Sequence, residues 1–257
     1  MLPGNTNSQS TNSVTDIIRY ARSEPWLSQN LPGLNQNGIA FPFVASRRRY
    51  LFIKRSFDVV FSLIVILAIL SWLIPLISFA IFFDSGGPVF FRQKRVGKGG
   101  KLFYCIKFRT MRKNEEADER PAAKNDDRIT RLGSFLRLSN IDELPQFFNV
   151  LVGQMSVIGP RPHMITDCIR FSFVISSYSL RNLVRPGITG WAQVNGYHGP
   201  TADYDSIIQR YYWDAMYINK VNAALDGKIM AKTFWMSLRN TGSLFGRLFY
   251  ARTKTCS

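Results

Sequence analysis

From Val59 to Phe83 the chain carries no charged residue. A helix needs roughly 20 apolar residues to cross the hydrocarbon of a bilayer, so this run is long enough to enter a membrane. A core helix of a water-soluble protein is rarely so long and so uniformly apolar. Basic residues flank it on both sides: Arg47, Arg48, Arg49, Lys54 and Arg55 before, Arg92, Lys94, Arg95 and Lys98 after. Such residues favour the cytoplasmic face, and here both flanks do. Pro75 removes a backbone hydrogen bond and predicts a bend. Ser71 and Ser78 stand close enough to satisfy the freed carbonyls. A segment that enters, bends and returns fits these facts, and so does a kinked spanning helix. Charge and proline alone do not separate the two.

The formal charge of +16 and the pI of about 10.1 call for an anionic partner: nucleic acid, acidic lipid or a phosphorylated substrate. No helix-turn-helix, RRM or zinc pattern is present, so nucleic acid is not expected among the partners. Three cysteines (Cys105, Cys168, Cys256) are widely separated, which suits a reducing compartment. With only His163 and His198, a zinc site or a histidine-based triad is not expected. Residues 1–46 form a polar tail, with one short helix expected around Val14–Arg22 and no signal peptide. The membrane segment with its basic flank occupies 47–83, the main folded domain 84–240, and a basic tail 241–257.

Asp142 and Glu143 are adjacent carboxylates. Pro145 costs little only in the first turn of a helix, so it places a helix start near Ile141–Asp142. Leu144, Phe147, Phe148 and Leu151 then follow at helical spacing. A helix cap explains such a pair. So does chemistry, in which one carboxylate attacks phosphorus and the other holds a divalent cation. Val89–Gln93 and Lys101–Arg109 read as strands around the glycine-rich turn Gly97–Gly100. Alternation puts Lys107 and Arg109 on one strand face, where they are solvated or look at substrate phosphates. Ile129–Leu138 is expected to be a short helix, with Arg137 close enough to fold back on Asp142. Arg161 lies between Pro160 and Pro162, and Arg185 precedes Pro186 in a turn-rich stretch, Val184–Gly196; both are rigidly presented cations. The last segment joins Phe234, Trp235, Leu238, Phe245 and Phe249 with Arg239, Arg247 and Arg252. This combination suits a membrane interface as well as a core helix.

These pieces recur in order in one family. Lys54-Arg55-Ser56-Phe57-Asp58, Gly87 to Gln93, Lys107 to Met111, Asp142 to Gln146, Met155 to Pro162 and Val184 to Gly196 make the chain resemble the bacterial sugar transferases, also called monotopic phosphoglycosyl transferases. The resemblance runs from about Lys54 to Leu238 and is nearest to exopolysaccharide hexose-1-phosphate transferases. It implies an α+β, mainly helical fold. A small catalytic domain on the cytoplasmic face of the bacterial inner membrane would carry one N-terminal re-entrant membrane helix and interfacial amphipathic helices. It implies transfer of a sugar-1-phosphate from a UDP-sugar to undecaprenyl phosphate, releasing UMP, at the first membrane step of surface-glycan assembly. Asp142 would be the nucleophile. Glu143, with Asp142, would hold Mg²⁺. Lys107, Arg109, Arg137, Arg161, Arg185 and Asp226 would surround the substrates. Membrane lipids are implied partners, and a homodimer is allowed. Gly227 departs from the usual apolar residue there and puts the local helix in doubt. Residues 167–182 match poorly. A basic membrane-anchored nucleic-acid binder and a non-catalytic scaffold are the competing readings.

Overall fold

The computed structural model of the chain describes residues 48–113, 126–175, 177–197 and 204–253, with side chains described as far as residue 239. The expected polar tail with its helix, most of the 114–128 loop, His198, Cys256 and the aromatic and basic side chains beyond residue 239 lie outside these residues.

Helix α1 (Arg48–Val65) runs through a π-helical turn (Ile66–Leu70) into α2 (Ser71–Ser85). The disturbance expected at Pro75 is thus absorbed about one turn upstream. There the Ser71 N–H donates to the Ile66 carbonyl, five residues back. Widening the turn leaves carbonyls short of donors, and two side chains supply them. The Ser71 hydroxyl donates to the Leu67 carbonyl at 2.7 Å and the Trp72 indole N–H to the Ala68 carbonyl at 2.9 Å. Only 28% of the most apolar window of the helix is buried, and Leu67, Phe79 and Phe83 are each about two-thirds exposed or more. A helix of a soluble core would bury these side chains. By length and composition the helix can cross a membrane.

Its other face packs on the rest of the chain from end to end. Leu70 joins Phe147, Val150 and Met155 in one core cluster, while Leu73, Ile77 and Ile81 join Phe108 and Leu136 in another. Polar fasteners add to this. Asp58 accepts from the Val157 N–H at 2.9 Å and the Ser156 hydroxyl at 3.1 Å. Arg55 donates to the Val150 and Leu151 carbonyls at 2.7 and 2.9 Å.

Strands β1 (Phe90–Val96) and β2 (Leu102–Phe108) form the expected antiparallel hairpin, with Phe90 opposite Phe108 and Lys94 opposite Tyr104. Its turn uses left-handed backbone at Gly99 and Gly100. Helix α3 (Arg131–Leu138) starts at Thr130, whose hydroxyl accepts from the Gly133 N–H. A 3₁₀ turn (Ile141–Glu143) leads to α4 (Gln146–Leu151). Strand β3 (Ser156–Ile158) pairs in parallel with β4 (Gly187–Thr189), inside a stretch whose glycines and prolines read as a loop. A Cβ at Gly187 would stand 2.1 Å from the Gly159 nitrogen, so this close approach requires glycine. Helices α5 (Ile165–Val174), α6 (Trp191–Val194), α7 (Tyr204–Lys220) and α8 (Ala223–Thr253) complete the described residues. Gly227 lies inside α8 without disturbing it. The described chain is mainly helical with two small two-stranded sheets.

Candidate active site

The helix start expected at Asp142 is divided in two. Asn140 adopts a left-handed conformation (φ 57°) and reverses the chain after α3. The 3₁₀ turn then presents Asp142 and Glu143, and Pro145 precedes α4. Pro145 needs no N–H there, as the sequence suggested.

Glu143 is the hub. Its Oε1 accepts from the Lys107 ammonium at 2.7 Å and from Arg161 Nη2 at 2.6 Å; its Oε2 accepts from Arg161 Nη1 at 3.1 Å. Arg161 therefore grips the carboxylate end-on with its two Nη groups. Burial pushes the Glu143 carboxyl up, but the charges of Arg161 and Lys107 outweigh it and hold the group well below the usual carboxylate range.

Asp142 is in the opposite state. It is buried, and among the described residues no hydrogen bond reaches its carboxylate. Burial and the neighbouring Glu143 charge raise its pKa from the ordinary 3.8 to about 6, against the pull of Lys107, Arg137 and Arg161. Two adjacent carboxylates are thus pushed apart. One is locked and ionised; the other takes no hydrogen bond from the described residues, and its ionised form is disfavoured. Such divergence marks many sites of chemistry.

Arg137 lies within electrostatic reach of Asp142, and its Nε donates to the Thr110 hydroxyl at 2.7 Å. The fold forces this meeting. A Cβ on Gly133 would overlap the Thr110 carbonyl at 1.9 Å, so glycine lets α3 press onto the end of β2. Thr110 belongs to the Lys107–Met111 motif, which by itself assigns it no role.

Three sequence-chosen residues stand apart from this cluster. Arg109 does not share the Lys107 face. It lies one residue past β2, is buried, and donates to the carbonyls of Ser85, Gly86 and Gly87. It fastens the end of α2 to the hairpin, because a buried guanidinium needs acceptors and the turn after α2 provides them. Arg185 donates from Nε to the Gly153 carbonyl at 2.9 Å, beside Arg55 at the end of α4. It lines a cavity of about 70 Å³ with Lys54, Asp58, Lys98 and Tyr217. Asp226, at the start of α8, accepts from Lys54 at 2.8 Å, from the Tyr217 hydroxyl at 2.9 Å and from the Tyr50 hydroxyl. It ties α8 to the membrane helix.

No cluster of three or more His, Cys, Asp or Glu side chains suited to a metal occurs among the described residues. Mg²⁺ does not require one, since it is commonly held by one or two carboxylates together with water and substrate phosphate. A carboxylate offers about four lone-pair sites. Glu143 spends three, leaving one on Oε2, and Asp142 keeps its own. The donor set fits a magnesium ion shared with a bound phosphate.

A family model described as bacterial sugar transferase matches residues 49–240. The UDP-glucose:undecaprenyl-phosphate glucose-1-phosphate transferase of Xanthomonas campestris pv. campestris is 49% identical over 152 residues, covering 58% of this chain and 31% of that protein. The undecaprenyl-phosphate galactose phosphotransferase of Salmonella typhimurium (strain LT2) is 37% identical over 214 residues, covering 77% of this chain and 43% of that protein. The exopolysaccharide production protein PSS of Rhizobium leguminosarum bv. phaseoli is 39% identical over 188 residues, with 71% and 94% coverage. The chain thus matches less than half the length of the first two.

Proposed function

Since this chain belongs to the bacterial sugar transferase family, we propose that it moves a hexose-1-phosphate from a UDP-sugar to undecaprenyl phosphate and releases UMP. The single observation that carries this reading is the buried Asp142 carboxylate, which takes no hydrogen bond from the described residues, beside a Glu143 held by Lys107 and Arg161. An oxygen of Asp142 attacks the sugar-proximal phosphorus. The bond from that phosphorus to the bridging oxygen breaks, and its electron pair leaves with UMP. An oxygen of the lipid phosphate then displaces Asp142 at the same phosphorus, forming the lipid diphosphate sugar and restoring the carboxylate. A covalent intermediate lets one small site serve a soluble donor and then a membrane-held acceptor. Lys107, Arg137 and Arg161 oppose the phosphate charge. Mg²⁺, when bound by Glu143 and Asp142, would shield carboxylate from phosphate.

The direct test is UMP release by the purified protein with undecaprenyl phosphate, Mg²⁺ and a panel of UDP-sugars. Release with at least one donor, dependent on acceptor for multiple turnovers, is expected. No release with any donor would favour a non-catalytic scaffold. The relatives' names include both glucose and galactose transfer, so the panel must include both.

Two further results are expected. In the metal-free protein the Asp142 carboxyl should titrate at about 6, above the ordinary 3.8, because burial and the Glu143 charge disfavour its ionised form, and Mg²⁺ should lower that value. An NMR titration giving an ordinary carboxylate value without metal, or no response to Mg²⁺, would contradict this. Glu143→Gln should shift the Mg²⁺ requirement upward by about 10-fold or more as well as slow the reaction. An unchanged Mg²⁺ titration would leave Glu143 as an anchor for Arg161 alone.

The apolar helix enters and leaves on the cytoplasmic face. The packing supports this, because α1 and α2 both lie against the same domain, through Asp58 and Arg55 at one end and through the Arg109 contacts to residues 85–87 at the other. A straight spanning helix would carry one end some 30 Å from the domain. Single cysteines at Arg49 and Lys98, in a background without the native cysteines, should be labelled from the same side of sealed vesicles. Labelling from opposite sides would show a spanning helix.

A further inference from the structure

Pro160 and Pro162 give the segment around Arg161 a stiff backbone but take away two N–H donors. The segment must therefore be held through its carbonyls, and each one from 160 to 163 is engaged. The Pro160 carbonyl accepts from the Gly187 N–H at 2.9 Å and the His163 carbonyl from the Val96 N–H at 3.1 Å. The Pro162 carbonyl accepts from Arg95 at 3.2 Å. The Arg161 carbonyl accepts from Arg181 Nη2 at 2.7 Å.

Arg181 is buried, and its guanidinium is spread over four partners. Nη2 also reaches Asp214 Oδ2 at 2.7 Å, while Nη1 reaches the Tyr178 hydroxyl at 2.7 Å and His163 Nδ1 at 2.6 Å. Asp214, Tyr178 and His163 are likewise buried. Burial and the charges of Arg181 and Arg210 hold the His163 pKa well below 6.5, so the ring is neutral and accepts at Nδ1. Asp214 comes from α7, Tyr178 and Arg181 from the 3₁₀ turn Tyr178–Leu183, and His163 from the Arg161 segment itself. Three parts of the fold thus converge on one guanidinium. Burying that charge is costly, and a shared ion pair with Asp214 offsets only part of the cost. Packing alone would be served as well by apolar side chains.

We infer that Arg181, fixed by Asp214, is a positioning residue for Arg161: it anchors the Arg161 carbonyl so that the Arg161 guanidinium meets Glu143 and the substrate phosphate. The inference rests on the function proposed above and adds to it a residue that does not touch the reacting atoms. Displacement of a positioning group by about 1 Å can cost 10²-fold in rate.

The test is a coupling measurement. The pair Arg181→Met with Asp214→Leu replaces the ion pair by apolar side chains of similar size, a change that buried pairs often tolerate. In the otherwise native protein it should lower kcat by about 10- to 100-fold at a temperature where the variant is fully folded. In an Arg161→Ala background the same pair should change kcat less than about threefold, because the anchored side chain is already gone. Equal losses in both backgrounds would overturn the inference. If the double variant does not fold, Arg181→Lys serves instead. Its ammonium keeps the charge opposite Asp214 but cannot span Asp214, Tyr178, His163 and the Arg161 carbonyl together. It should show the same coupling, and equal losses would again overturn the inference. Should the native protein release no UMP with any donor, the functional reading fails by itself. Hydrogen exchange then decides the positioning role: deprotection confined to the 159–164 segment supports it, and an unchanged segment refutes it.

Discussion

Asp142→Asn is expected to reduce turnover by on the order of 10⁴-fold or more, the scale on which enzymes lose activity with their nucleophile. The fold should survive. The Asp142 carboxyl is raised to about 6 by burial and by Glu143, so at neutral pH its negative charge opposes folding. A neutral amide of the same shape removes that opposition. The variant should therefore melt no lower than the native protein at pH 7.5 while releasing almost no UMP. Glu143, held low by Arg161 and Lys107, has the opposite sign: its contribution to stability is present above the ordinary carboxylate range and is lost on strong acidification. A folded, membrane-bound Asp142→Asn protein with near-native activity would sink the nucleophile assignment.

Arg161→Lys should cost about 100-fold in kcat/KM although the charge is kept. The guanidinium meets both oxygens of Glu143, at 2.6 and 3.1 Å, from a segment whose carbonyls are all engaged. A lysine ammonium is a point charge and cannot hold two oxygens in one plane. About 100-fold corresponds to roughly 2.7 kcal/mol of transition-state stabilisation. Arg161→Ala should lose more, since among the described residues Glu143 then keeps Lys107 alone as its hydrogen-bonded cation. If the lysine variant performs within a few-fold of native, only the charge at this position matters.

Much of this site is visible in the sequence, and the parts that are not have physical reasons. The uncharged run and its basic flanks are read directly from composition, and the hairpin from alternation around glycines. Asp142, Glu143, Lys107, Arg137 and Arg161 are brought together as the motifs suggested. Arg109 is not, because alternation along a strand says which face a residue is on only while the strand continues, and β2 ends at Phe108. The π-turn at Ile66–Leu70 has no local signature. Pro75 points to a disturbance but does not say in which turn the ladder will shift. The β3–β4 pair is three residues long on each side, too short for a period to show. Arg181, His163 and Asp214 are individually unremarkable in sequence. Only the meeting of α7 with the Arg161 segment reveals what they do, and that is a matter of long-range packing.

The most direct measurement is mass spectrometry of the protein incubated with Mg²⁺ and a UDP-sugar that it uses, without lipid acceptor. About one equivalent of UMP is expected, with a hexose-phosphate adduct on the peptide containing Asp142 that is discharged by undecaprenyl phosphate and absent in Asp142→Asn. Full turnover with no adduct and no stoichiometric UMP burst, or an adduct on another residue, would contradict it.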